Sequence, residues 1–122
     1  MMTAGSGQVL TILLIVLPLA AATLALLARR IAAGVAIVNA VLATGAALVL
    51  LRATTDGPLR YAIGGWGAPL GIDLYADSMT GFLLVATSII ILSIAVYTPA
   101  YLASTGLRPS FWPLLLFLHA AL

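Results

Sequence analysis

Apolar positions run without a break from residue 9 to residue 28, with only Thr11 and Thr23 as mildly polar members. At about 1.5 Å of rise per residue, a run of that length covers the roughly 30 Å hydrocarbon core of a bilayer. The pattern predicts a transmembrane helix over 9–28, kinked near Pro18, whose ring removes one backbone hydrogen bond. Arg29 and Arg30 close the run, and a second apolar stretch occupies 31–51. So short a link predicts an antiparallel helical hairpin, with Gly34 as an alternative start for its second helix. A third uncharged stretch predicts a helix over 79–102, with Asp77 or Ser78 as its N-cap. A fourth run opens at Phe111 and predicts a partial helix over 110–122. No Arg or Lys precedes the first run, and the run is too long for a signal-peptide core, so the sequence reads it as a retained helix.

Residues 52–78 form the one polar segment. Asp56-Gly57-Pro58 predicts a turn. Residues 61–63 and 72–75 are strand-like pieces on either side of Gly64-Gly65-Trp66-Gly67 and Ala68-Pro69. The glycines and Pro69 leave too little helix propensity for anything but an irregular hairpin. It is expected on the membrane surface, with Tyr61, Trp66 and Tyr75 at headgroup level. The expected fold class is therefore an all-α integral membrane protein, a single membrane domain over 1–122. It has three transmembrane helices, the start of a fourth, and a short hairpin between helices 2 and 3.

Composition sharpens this picture. The chain is 64% apolar and 7% charged, against about a quarter charged in soluble domains. Its ionisable set is Arg29, Arg30, Arg52, Arg60, Arg108, Asp56, Asp73, Asp77 and His119, with no Lys and no Glu. No basic face exists to neutralise phosphates, which excludes nucleic acid as a partner. The absence of cysteine removes disulfides, thiolate metal sites and cysteine nucleophiles. Arg29, Arg30 and Arg108 fall on one side and Arg52 and Arg60 on the other. The positive-inside rule then places the N-terminus and the hairpin outside, in a multi-pass protein of the cell inner (plasma) membrane.

Few residues are candidates for chemistry. Asn39 lies mid-span, suited to an interhelical hydrogen bond or to a water-filled ion path. His119 is the one titratable group within an apolar run. It is either a neutral hydrogen-bonded side chain or part of a proton relay, for which a lone His is incomplete. Asp77 is expected to cap a helix and Asp73 to sit in a strand, so the pair makes a poor metal site. His119, Asn39 and Asp77 are thus the candidates for a proton or polar path. The serines read as loop or lipid-facing, which leaves no Ser–His–acid arrangement. The loop glycines neither follow a strand into a helix nor precede a Lys, so no phosphate-binding loop is present. No catalytic, cofactor-binding or metal-binding residue is assigned, and no cofactor is expected. The small residues of the second span, among them Ala36, Ala40 and Ala43, suit close helix packing.

The stretch YAIGGWGAPLGIDLYADSMTGFLLVATSIIIL, residues 61–92, resembles the outer loop and third helix of the large antiporter-like membrane subunits. The resemblance rests on Tyr61, Gly64-Gly65-Trp66, Pro69, Gly71-Ile72 and Asp77, with Phe111-Trp112-Pro113-Leu114 at the fourth helix. That superfamily includes a large membrane component of the multisubunit Mrp-type sodium/proton antiporters and the proton-pumping membrane subunits of complex I and energy-converting hydrogenases. The resemblance implies a membrane component, the N-terminal part of a multisubunit cation/proton antiporter, structural within its assembly. The alternative it implies is a membrane-arm segment of an NADH:quinone oxidoreductase or hydrogenase complex, in which case the chain is part of an enzyme. An unrelated membrane scaffold is the third possibility, and the antiporter is preferred. Expected partners are the lipid bilayer and other membrane subunits. The family's buried Glu and Lys have no counterpart here, so the isolated chain is not expected to exchange sodium for protons. From Phe111 to Leu122 the rise is about 17 Å, which stops at mid-bilayer. The sequence therefore leads to the expectation that the chain is a truncated or split N-terminal piece.

Overall fold

The computed structural model describes residues 4–62, 65–66, 69–106 and 110–121, with the side chains of Ala4 and Gly7 also outside the description. Among these residues the chain is an all-α membrane bundle with one small hairpin. Helix α1 spans Ala4–Leu27, a single 3-10 turn covers Arg29–Ile31, and α2 spans Ala32–Thr55. Strands β1 (Leu59–Ala62) and β2 (Asp73–Ala76) follow, then α3 (Ser78–Thr105) and α4 (Phe111–Ala121). The first three helices are long and apolar enough to cross a membrane, and α4 is shorter.

Helix boundaries depart from the hydropathy pattern where polar residues can satisfy themselves. Helix α1 begins at Ala4, ahead of the apolar run, and continues through Pro18. Helix α2 starts at Ala32, not at Gly34, because the 3-10 turn hands directly into it. It runs past Arg52 to Thr55, since Thr54 and Thr55 both return their hydroxyls to the Leu51 carbonyl at 3.0 Å. Hydroxyls that bond back to the preceding turn need no outside partner, which suits them to lipid. Helix α3 ends at Gly106, whose φ of 65° forms a left-handed cap with its N–H on the Leu102 carbonyl.

Helix α2 is the centre of the bundle, packed against α3 and α1, while α4 lies mainly against α1. Its buried face is a stripe of Ala32, Ala36, Asn39, Ala40, Ala43, Ala47, Leu50 and Thr54. The opposite face presents Val38, Val41, Leu42, Leu48 and Val49 outward. In water so much exposed apolar surface would aggregate; against lipid it is the expected exterior. The stripe is small because lipid tails are as apolar as Leu, so helices associate by close approach instead of by hydrophobic burial. Trp112, Leu115 and Leu116 of α4 and Ile91 and Ala95 of α3 complete the core with Ala22 and Ala25 of α1. A particularly close approach is at Gly81, where an added Cβ would lie 2.9 Å from the Leu51 Cα.

The strands pair antiparallel, Arg60 opposite Tyr75 and Tyr61 opposite Leu74. The Arg60 guanidinium lies 5.0 Å above the centre of the Tyr75 ring. Trp66 is two-thirds exposed at the tip. Of the loop residues singled out in the sequence, Ile63, Gly64, Gly67 and Ala68 lie outside the described residues, as do Arg108 and Leu122.

Candidate functional site: a polar pair beneath a cavity

Asn39 is carried to the middle of the bundle by the small-residue stripe of α2 and is 3% exposed. His119 arrives from the last described turns of α4, half-buried. The two meet across 80 positions of sequence, Asn39 Nδ2 lying 3.2 Å from His119 Nδ1. With the amide nitrogen donating, Nδ1 must accept, and the neutral ring then carries its proton on Nε2. The other end of the amide, Oδ1, is buried and has no hydrogen-bond partner among the described residues. Turning the amide over would only transfer the deficit to its nitrogen. A stranded buried group costs about 1–3 kcal/mol, so this pair is tolerated at a cost.

His119, the outer member of the pair, borders a cavity of about 190 Å³. Thr80, Thr87 and Ser88 of α3, Leu74, Tyr75 and Ala76 of β2, Thr11 of α1, and His119 line it, together with apolar neighbours. Positions 80, 87 and 88 share one face of α3, because seven or eight residues are two helical turns. Ser88 is 2% exposed. It is neither a loop nor a lipid-facing serine, which corrects the expectation from the sequence. The apolar residues around it hid the signal, and the hydroxyls at helical spacing were the clue that could have found it.

Asp77 sits at the mouth of this face as the N-cap of α3. Its Oδ1 accepts from the Thr80 amide and from the Thr80 hydroxyl, both at 2.8 Å. The Thr80 amide, and after it the hydroxyl, hold the Asp77 carboxyl below the usual carboxylate range. Ser78 donates its hydroxyl to the Thr54 carbonyl at 3.0 Å, tying the start of α3 to the end of α2. Asp73 lies in β2 opposite Ala62, away from this cap network. Among the described residues, no three His, Asp or Glu side chains gather as a metal site would require.

The depressed carboxyl fixes the sign of a pH effect. The folded chain binds the Asp77 proton less tightly than the unfolded chain, so the cap stabilises fully above the ordinary value of 3.8. That contribution is lost as pH falls through the depressed value. Thermal unfolding in lipid nanodiscs should show Asp77→Ala below wild type at pH 7, with the gap closing under strong acid. A gap that stayed constant with pH would show that the charge is irrelevant to the cap.

No family model matches the chain, and no solved structure does. The chain is similar to the NADH-quinone oxidoreductase subunit N of Desulforudis audaxviator (strain MP104C). The two are 34% identical over 121 residues, an alignment covering 93% of this chain and 24% of that protein. This likeness supports the complex I-like membrane-subunit family. The chain spans about a quarter of the length of this complex I-like relative. The structure thus brings Asn39 and His119 into contact and links Asp77 to the same cavity through Thr80.

Proposed function

We propose that this chain is a packing segment of an antiporter-like membrane-arm subunit, working inside a multisubunit assembly that moves protons. The observation that carries the proposal is the likeness to an NADH-quinone oxidoreductase membrane subunit across 93% of the chain. The bundle supports a structural part. Its interior is an alanine seam crossed by the Asn39–His119 bond, and the chain holds no Glu or Lys to relay charge. Two assemblies accommodate such a segment. The relative's name favours an NADH:quinone oxidoreductase, with an energy-converting hydrogenase as its near kin. The resemblance of residues 61–92 favours an Mrp-type cation/proton antiporter as strongly. In either, the segment sits N-terminally in its subunit, in the inner membrane, with the N-terminus and hairpin on the outer face.

Affinity purification of the tagged chain from native membranes in mild detergent discriminates the two. Stoichiometric flavin and iron–sulfur subunits would establish the respiratory or hydrogenase complex. Small membrane subunits without redox centres would establish the antiporter. Recovery of the chain alone, monodisperse and without partners, would refute both.

A further inference from the structure

The hydroxyls that border the cavity, with Asp77 bonded to one of them and Asn39 bonded to the bordering His119, form a polar seam through otherwise apolar surroundings. Asp77 holds the Thr80 hydroxyl. Thr80, Thr87 and Ser88 border the same space, and His119 borders it too. Beyond it, Asn39 supports the imidazole through Nδ1, and its Oδ1 has no partner among the described residues. We propose that this cavity is a water-filled access path that carries protons from the membrane surface at Asp77 to His119. The proposal rests on the reading of the chain as part of a proton-moving membrane assembly and goes beyond it, giving the segment an access role in addition to its packing role.

The cavity has the dimensions and the donors for a short file of water. About 30 Å³ is the share of one water molecule in the liquid, and a water needs two to four polar partners. A space of about 190 Å³ has room for several waters, and although Leu14, Leu50, Leu74 and Leu84 make much of its wall apolar, Thr80, Thr87, Ser88 and His119 supply polar partners for them. Hydroxyls both donate and accept, so a file along them can pass a proton in either direction.

The chemistry at His119 balances with the groups present. In the neutral pair, Nδ1 accepts from Asn39 Nδ2 and the ring proton resides on Nε2. The proton can enter only at Nδ1, so the Asn39 amide first swings its Nδ2–H away from that nitrogen, and a hydronium ion of the file then yields its proton to the Nδ1 lone pair and leaves as water. The imidazolium then has protons on both nitrogens, and Nδ1 becomes a donor. Asn39 completes the turn of its amide, so that Oδ1, without a described partner in the neutral arrangement, accepts from Nδ1–H. One residue thereby satisfies both protonation states, which an aliphatic side chain could not do.

No fixed charge from the surrounding elements pre-empts this role. Helix α1 carries no titratable group, α2 carries only Arg52 in its last turn, and α3 carries only Tyr97 and Tyr101 toward its far end. On the hairpin, Tyr75 lines the cavity, while Arg60, Tyr61 and Asp73 belong to the strands above it. Tyr75 and His119 are therefore the titratable side chains of the cavity wall, with Asp77 at its entry.

The chain has no cysteine, so single cysteines report water access directly in native membranes. Ser88→Cys and Thr87→Cys, near-isosteric changes on the wall, should react with a small cationic methanethiosulfonate about ten times faster than Ile90→Cys, or more. Ile90 is 60% exposed on the lipid side of the same helix. In parallel, the ¹⁵N signals of His119 in the lipid-embedded chain should pass from the neutral to the imidazolium form as the pH is lowered. They should show one Nε2–H tautomer when neutral, and Asn39→Leu should convert that to a tautomer mixture. Wall cysteines as inert as the one at 90 would overturn the proposal, showing a space filled by lipid or an apolar segment. So would a His119 that stays neutral at every pH. Neither result depends on which subunits co-purify, so failure here is separable from failure of the assembly reading.

Discussion

Replacing Gly81 by valine should separate α2 from α3 and destabilise the bundle by about 1–3 kcal/mol, the usual range for overpacking. A Cβ at this position would stand 2.9 Å from the Leu51 Cα and 3.1 Å from its Cδ1. The Leu51 side chain can rotate away, but its Cα cannot move without the helix. Gly81→Ala already needs such a shift, and valine adds two methyl groups to the same crowded space. The effect reaches the site, because Thr80, Leu84, Thr87 and Ser88 of α3 line the cavity on either side of this contact. Gly45 is the internal control: a Cβ there meets nothing within 4 Å, so Gly45→Ala should be neutral or better. Thermal unfolding of the three variants in lipid nanodiscs decides the matter. Equal stability of Gly81→Val and wild type would mean that α2 and α3 do not approach this closely in the membrane.

The helices were legible in the sequence because lipid sets a length requirement that needs no periodicity. Three apolar runs long enough to span a bilayer are three helices. Their ends were less legible. Hydropathy stops at Arg52, whereas the backbone continues to Thr55, because threonine hydroxyls close onto the Leu51 carbonyl. The hairpin was legible from glycine and proline density, and Asp77 as a cap from its place ahead of an apolar run. The partnership of Asn39 with His119 was not. It depends on α4 returning against α1 and α2, a tertiary arrangement that two isolated polar residues do not encode. Ser88 was misread for a related reason: an apolar helix looks uniformly lipid-facing until its neighbours are placed.

That pair supplies the second large effect, and a double-mutant cycle isolates it. In His119→Leu the whole Asn39 amide is stranded, since Oδ1 already lacks a partner and Nδ2 loses its only described one. Asn39 is 3% exposed, so neither end can turn to solvent, and the loss should be about 1–3 kcal/mol. In Asn39→Leu the stranded group is His119, which borders the cavity and can recruit water there, so the loss should be smaller. Replacing both residues by leucine removes every unpaired group and fills the space with apolar atoms. Such paired replacement is close to neutral in general, because the cost lies in the orphan and not in the lost bond. The double variant should therefore be more stable than His119→Leu alone. The coupling should be about 0.6 kcal/mol, the average for interhelical hydrogen bonds in membranes, and at most about 1.7 kcal/mol. Steric-trapping measurements of unfolding in bicelles give all four corners of the cycle. Strict additivity would mean that the two side chains do not meet in the membrane, and the polar seam at the cavity would go with them.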